Sequence, residues 1–210
     1  MRVSRLVAIS GLVLTITPGS PAFADALTRW QGASPAVRAR ALSLARQAFD
    51  AYVRERRVID CPANLPAEFS LRSGVFVSTM DPGGAPRCCM GTLYPVEPDI
   101  AHEIIANAVA AAGRDRRFKA ITITDLSRLR LIVSIVGRPE PVGDASALDP
   151  VRDGLVARYA DRDGVVLSGE TPHLDLMLRW ARTRAGAPAG ASVALFRLND
   201  VRMMEEKKVP

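Results

Sequence analysis

Residues 74–93 read GVFVSTMDPGGAPRCCMGTL, and few folds can accommodate that order. An apolar, β-branched run over 74–80 is followed by turn chemistry over 81–86, and a second run over 87–93 returns. The pattern predicts a β-hairpin. A hairpin is antiparallel, so the sheet it nucleates must be antiparallel at least in part. Its second strand carries Cys88 and Cys89, two of the three cysteines in the chain. The third, Cys61, sits in a loop-like stretch interrupted by prolines.

The flanking segments add helices. From Ser34 and Pro35, apolar positions Val37, Ala41, Leu44, Ala48 and Tyr52 recur at helical spacing, with arginines on the opposite face. Pro98 and Asp99 start a second helix with a broad apolar stripe (Ile100, Ala101, Ile104, Ile105, Ala108, Val109, Ala112) that ends at Gly113. AITIT (120–124) and LRLIVSIVG (129–137) read as strands. Asp163-Gly164 lies between apolar runs and predicts a hairpin turn. Thr171 as N-cap and Pro172 open a third helix, with Leu174, Met177, Leu178, Ala181 and Ala185 facing the core, and SVALFRL (192–198) reads as a final strand. Hairpins mixed with helices, without regular βαβ alternation, give an α+β fold with a mostly antiparallel sheet.

Composition narrows the partners. The 210 residues are 48% apolar and 24% charged, enough for a real core. The first 24 residues place Arg2 and Arg5 before an apolar run and end in small residues, the layout of a signal peptide cleaved after Ala24. Its apolar run is too short for a membrane span. The expectation is an exported chain, periplasmic or secreted, with no membrane attachment after cleavage. Cleavage removes two of the charges that make up the net +6. No block of basic residues remains, which argues against a nucleic-acid partner.

At several spaced motifs the chain resembles the AMMECR domain family. Gly74, Phe76 and Val77 match a G-x-F-V-T strand. Arg87, Cys89 and Gly91 match the hexapeptide L-R-G-C-I-G, whereas Pro86, Cys88 and Met90 depart from it. Ala111, Ala112, Asp115, Arg117 and Phe118 follow in order, then Ser134, Pro139 and Glu140. DGLVARY, GVVLSGE (with Ser168 in a proline position) and RTRAGAP (with Arg184 for lysine) resemble later segments. The resemblance covers residues 37–204 and implies two unequal lobes, but it names no reaction. It leaves 25–36 as a linker and 205–210 as a charged tail.

The candidate site follows from these motifs. Cys89 could be a nucleophile if a cation lowers its pKa, and Arg87, two residues away on the same strand face, is a candidate; the weightier reading is that Cys89 packs as a small hydrophobe, because cysteine is among the most buried residue types. Arg87 and Arg117, with Asp115 and with Glu140 by family analogy, could bind a small anionic ligand or a protein partner. Asp115 and Arg117 could instead tie a helix end to the sheet. In an exported protein, a bridge from Cys61 to Cys88 would leave Cys89 free and contribute about 3 kcal/mol. The cysteines lack metal-ligand spacing, the two histidines lie far apart, and no cofactor motif is present.

Overall fold

A computed structural model describes residues 22–206, so the expected signal peptide lies almost wholly outside the described residues. The hairpin forms as strands β1 (Gly74–Met80) and β2 (Pro86–Gly91). Its turn closes where Asp81 Oδ1 accepts the Ala85 N–H at 2.9 Å. Gly84, with φ of 88°, supplies the left-handed residue. The register slips once, because Thr79 faces Cys88 but Met80 faces Pro86. Arg87 is therefore the extra residue of a bulge.

The remaining elements are helices α1 (Ala22–Gln31), α2 (Pro35–Glu55), α3 (Ile100–Gly113) and α4 (Leu174–Arg184). The strands are β3 (Arg130–Val136), β4 (Glu140–Pro141), β5 (Gly154–Tyr159), β6 (Arg162–Val166), β7 (Ala194–Leu198) and β8 (Asp200–Met204). They build two antiparallel sheets, ordered β2-β1-β3-β8 and β4-β7-β5-β6. The fold is α+β, as the hairpin signals predict. Among the described residues, no helix is long and apolar enough to cross a membrane.

Alternation decides which face meets which layer. On β3, Leu131, Val133 and Ile135 join the larger core under α1, α2 and α3, while Val136 joins a third cluster with Val156 and Leu198 of the second sheet and Leu167 just after β6. The second sheet covers its other face with α4, through Met177 and Ala181. Full burial of a side chain such as Phe49 or Phe69 contributes about 1.5–3 kcal/mol.

Caps explain the helix starts. Ser34 accepts the Val37 N–H at 3.3 Å, and Asp99 accepts the His102 N–H at 3.0 Å. Several expectations need correction. Residues 25–31 are helical, not linker, and Trp30 is fully buried, its ring edge-on to Phe69 at 5.2 Å. AITIT is not a strand: Thr122 and Asp125 form a capping box that winds Ile123–Asp125 into a 3-10 turn. The β5–β6 turn falls at Ala160–Asp161, and Gly164 lies inside β6 because a Cβ there would come within 1.9 Å of the Ala181 oxygen. Helix α4 starts at Leu174, after Thr171 has spent its hydroxyl on the His173 N–H at 3.1 Å. Strand β8 follows the expected final strand.

The charged tail is also built in, at its first residue. The Arg46 Nε–H donates to Glu205 Oε1 at 2.9 Å, and Arg46 also reaches the Leu129 carbonyl at 2.8 Å. Glu205 accepts the Leu131 N–H at 2.8 Å, and its carbonyl accepts from Arg130. One carboxylate thus joins α2, β3 and the chain after β8.

Polar groups are enclosed where the two sheets face each other. Both carboxylate oxygens of Asp200 and the Ser134 hydroxyl are buried without an aligned hydrogen-bond partner among the described residues. Burial raises the Asp200 pKa; the nearby Ser168 and Ser134 hydroxyls and Arg202 oppose the shift, and Glu170 adds to it. A carboxyl with a raised folded pKa binds more protons folded than unfolded, so its contribution falls as pH rises through that pKa.

Two expected outcomes follow from this packing. A Cβ at Gly91 would lie 2.3 Å from the Phe76 ring and 2.6 Å from the Val75 oxygen, so Gly91→Ala should destabilise by about 2 kcal/mol in urea unfolding. Asp200→Asn should gain stability relative to the parent as pH is raised from 4 to 7. A constant difference across that range in pH-resolved unfolding would contradict the assignment.

Candidate functional site

Among the described residues strand β2 stands at the edge of the first sheet, so the outward N–H and C=O of Cys89 have no strand there to pair with. The residues after α3 take that place. Asp115 Oδ2 accepts the Cys89 N–H at 2.8 Å, and the Arg117 guanidinium donates to the Cys89 carbonyl. Arg117 is itself held by Asp115, through Nε to Oδ1 at 2.8 Å and Nη2 to Oδ2 at 2.7 Å. Burial alone would raise the Asp115 pKa, but the bonds from Arg117 and Cys89 outweigh it and hold the carboxyl below its ordinary value. Asp115 and Arg117 thus tie the end of α3 to the sheet, the structural alternative in the sequence reading.

The two cysteines point to opposite faces, as alternation requires. Cys88 is buried in the larger core, its Sγ 3.1 Å from Thr79 Oγ1. Burial pushes its pKa up to about 11, against the Thr79 bond that lowers it. Cys61 packs partly buried against the same core, but all three cysteines are free thiols. The expected Cys61–Cys88 bridge is not formed; Thr79, not Cys61, is the polar partner of Cys88.

Cys89 packs on the other face, against the cluster between the sheets, and keeps some exposed surface. Burial pushes its thiol up to about 12; Glu170 adds to the shift, while Arg117 and Arg184 oppose it. Arg184 is committed to Glu170, Nη2 to Oε2 at 2.8 Å, and to the Val165 carbonyl at 2.6 Å. Glu170 also accepts the Leu167 N–H at 2.8 Å. No histidine is among the charged groups acting on Cys89: His102 pairs with Asp99 at 2.7 Å, and His173 stands at the N-cap position of α4 without a side-chain capping bond. Burial thus favours the protonated thiol, and the carboxylate that acts on it, Glu170, is already engaged by Arg184 and the Leu167 N–H.

Other expected site residues are placed differently. The bulge separates Arg87 from Cys89, and Arg87 meets Asp125 at 3.7 Å instead of sharing Asp115 with Arg117. Arg87 and Asp115 do share a cavity of 230 Å³ with Cys88 and the residues that end α3. Glu140 lies exposed on β4, opposite Arg197, apart from this constellation. Glu170 and Arg184 are instead charged groups that act on Cys89, and both stand in motifs, GVVLSGE and RTRAGAP, already noted for their family resemblance. Among the described residues, no three His, Cys, Asp or Glu side chains could hold a metal ion together.

Comparison with known proteins accounts for the recurring motifs. A Thermotoga maritima protein is 37% identical over 140 residues, which cover 65% of this chain and 80% of that one. A Thermofilum pendens protein is 34% identical over 59% of this chain and 65% of its own length. For a Clostridium acetobutylicum relative, 32% identical, the matched stretch spans 27% of the longer protein. The crystal structure of an uncharacterized protein from Pyrococcus horikoshii shares the fold, with a TM-score of 0.71 at 22% identity over 83% of this chain and 94% of that one. The AMMECR1 family model matches residues 42–193, which take in the hexapeptide, Asp115, Arg117, Glu170 and Arg184. The chain belongs to the AMMECR1 family.

Proposed function

We propose that this chain is a binding or accessory protein that acts through its Arg87–Cys89 segment on a small anionic ligand or a protein partner. The observation that carries the reading is the state of Cys89. A catalytic thiol needs a lowered pKa and a base within reach. Cys89 has its thiol pushed up to about 12 and its flanking cations engaged by Asp115 and Glu170. The backbone of this residue is used for fixing an edge strand, while Arg87 on the bulge is turned toward an open cavity.

The reading includes export. N-terminal sequencing of the protein isolated from its host should find a chain beginning at Asp25, and an intact N-terminus would remove that part of it.

Alkylation of the native protein tests the main reading against a thiol-dependent transferase or hydrolase. With iodoacetamide and residue-resolved mass spectrometry at pH 7, Cys89 should react about a thousand-fold more slowly than a free cysteine of pKa about 8.5. Its rate should still be rising above pH 10. A midpoint below pH 8 would restore Cys89 as a nucleophile and sink the binding reading.

A further inference from the structure

The cavity beside the hexapeptide has a charge pattern that the fold does not need. Five cations line its 230 Å³: Arg56, Arg87, Arg114, Arg116 and Lys119. Its one carboxylate, Asp115, is already engaged by Arg117 and the Cys89 N–H. Of the five cations, only Arg87 has an ion-pair partner among the described residues, Asp125 at 3.7 Å. A helix C-terminus attracts cations within its last turn, which accounts for Arg114 at the end of α3. The end of α2 does the same for Arg56, but no helix end accounts for Arg87 on the bulge of β2, or for Arg116 and Lys119 beyond the last turn of α3.

Arg56 carries a second, independent signal. It occupies the C-cap of α2 with φ of 56°, a left-handed position where glycine is the usual residue and a side chain costs about 1 kcal/mol or more. Its guanidinium lies over the Tyr52 ring at 5.2 Å. Stacking uses the face of the guanidinium and leaves its N–H edges free to donate. The same ring forms the wall at α3, because a Cβ on Gly113 would come within 2.4 Å of it. The tyrosine thus positions both the cation and the helix end that carries Arg114.

The geometry points to this cavity as the binding site of a compact polyanion of the phosphate or diphosphate class. The inference rests on the binding reading above and names its ligand class. Several cations facing no uncommitted carboxylate favour a ligand with two or more negative charges over a monocarboxylate, and guanidinium forks match phosphoryl oxygens in bidentate geometry. The volume lies below the about 300–1,000 Å³ typical of sites for drug-sized ligands, which restricts the ligand to a small anion or the phosphoryl end of a larger one.

Isothermal titration of the purified protein with inorganic pyrophosphate, and separately with succinate, tests the assignment. Pyrophosphate should bind one to one, more weakly as salt rises, and at least ten-fold more weakly in Arg87→Ala and in Arg116→Glu. Arg116 makes no ion pair among the described residues, so its variant should fold normally; circular dichroism checks both. Arg197→Ala, on the second sheet, should bind as the parent does. Succinate binding that depends on Arg87, without pyrophosphate binding, would overturn the phosphate class and leave the binding reading standing. Pyrophosphate binding that neither cavity variant weakens would overturn the location. Failure of both anions to bind would overturn this inference, and the binding reading falls with it only if Cys89 also alkylates with a midpoint below pH 8.

Discussion

Much of this structure depends on how the chain satisfies one peptide unit at an open sheet edge. The N–H and C=O of Cys89 point away from β1, where a fifth strand would otherwise lie. Asp115 accepts and Arg117 donates, so two side chains supply what a neighbouring backbone would supply. A buried or half-buried peptide group left unpaired costs about 1–3 kcal/mol, and an unpaired edge invites association with other chains. Once the edge is fixed to the end of α3, the neighbours have set places. Cys88 enters the larger core, Cys89 faces the second sheet, and Arg87 is displaced onto the bulge beside the cavity.

The same arrangement separates two electrostatic environments a few residues apart. On the Cys89 side, the charges come as matched pairs, Arg117 with Asp115 and Arg184 with Glu170. Their fields largely cancel, and the apolar packing keeps the thiol neutral. On the Arg87 side, cations outnumber carboxylates and face solvent. A hexapeptide that looks like a single motif in sequence therefore serves two surfaces: one closes the joint between lobes, and the other presents charge.

Local signals carried most of the fold. The hairpin at 74–93, the capped starts of α2 and α3 and the alternation on β3 were legible because each is decided within a few residues. The failures have physical causes of two kinds. Asp163-Gly164 looked like a turn, yet Gly164 is needed where β6 touches the backbone of α4, and close approach also calls for glycine. AITIT has strand composition, yet the Thr122–Asp125 capping box winds it. At the site, the Asp115–Arg117 pair could be picked out from the family resemblance, whereas the separation of Arg87 from Cys89 depends on a one-residue bulge that alternation cannot foresee. Glu170 and Arg184 come from the other lobe, and only the folded topology brings them to Cys89.

The contact between Arg46 and Glu205 joins residues 159 positions apart. As the chain emerges during synthesis, α2, the hairpin and β3 are all available before β8 exists. The first sheet must wait in three-stranded form, with the β3 edge open and Arg46 without its principal carboxylate. Completion of the larger lobe is therefore a late event of high contact order, and the second lobe, whose strands lie between β3 and β8 in the chain, has its hairpin of β5 and β6 ready first. The protein that folds as two lobes in space is interleaved in time.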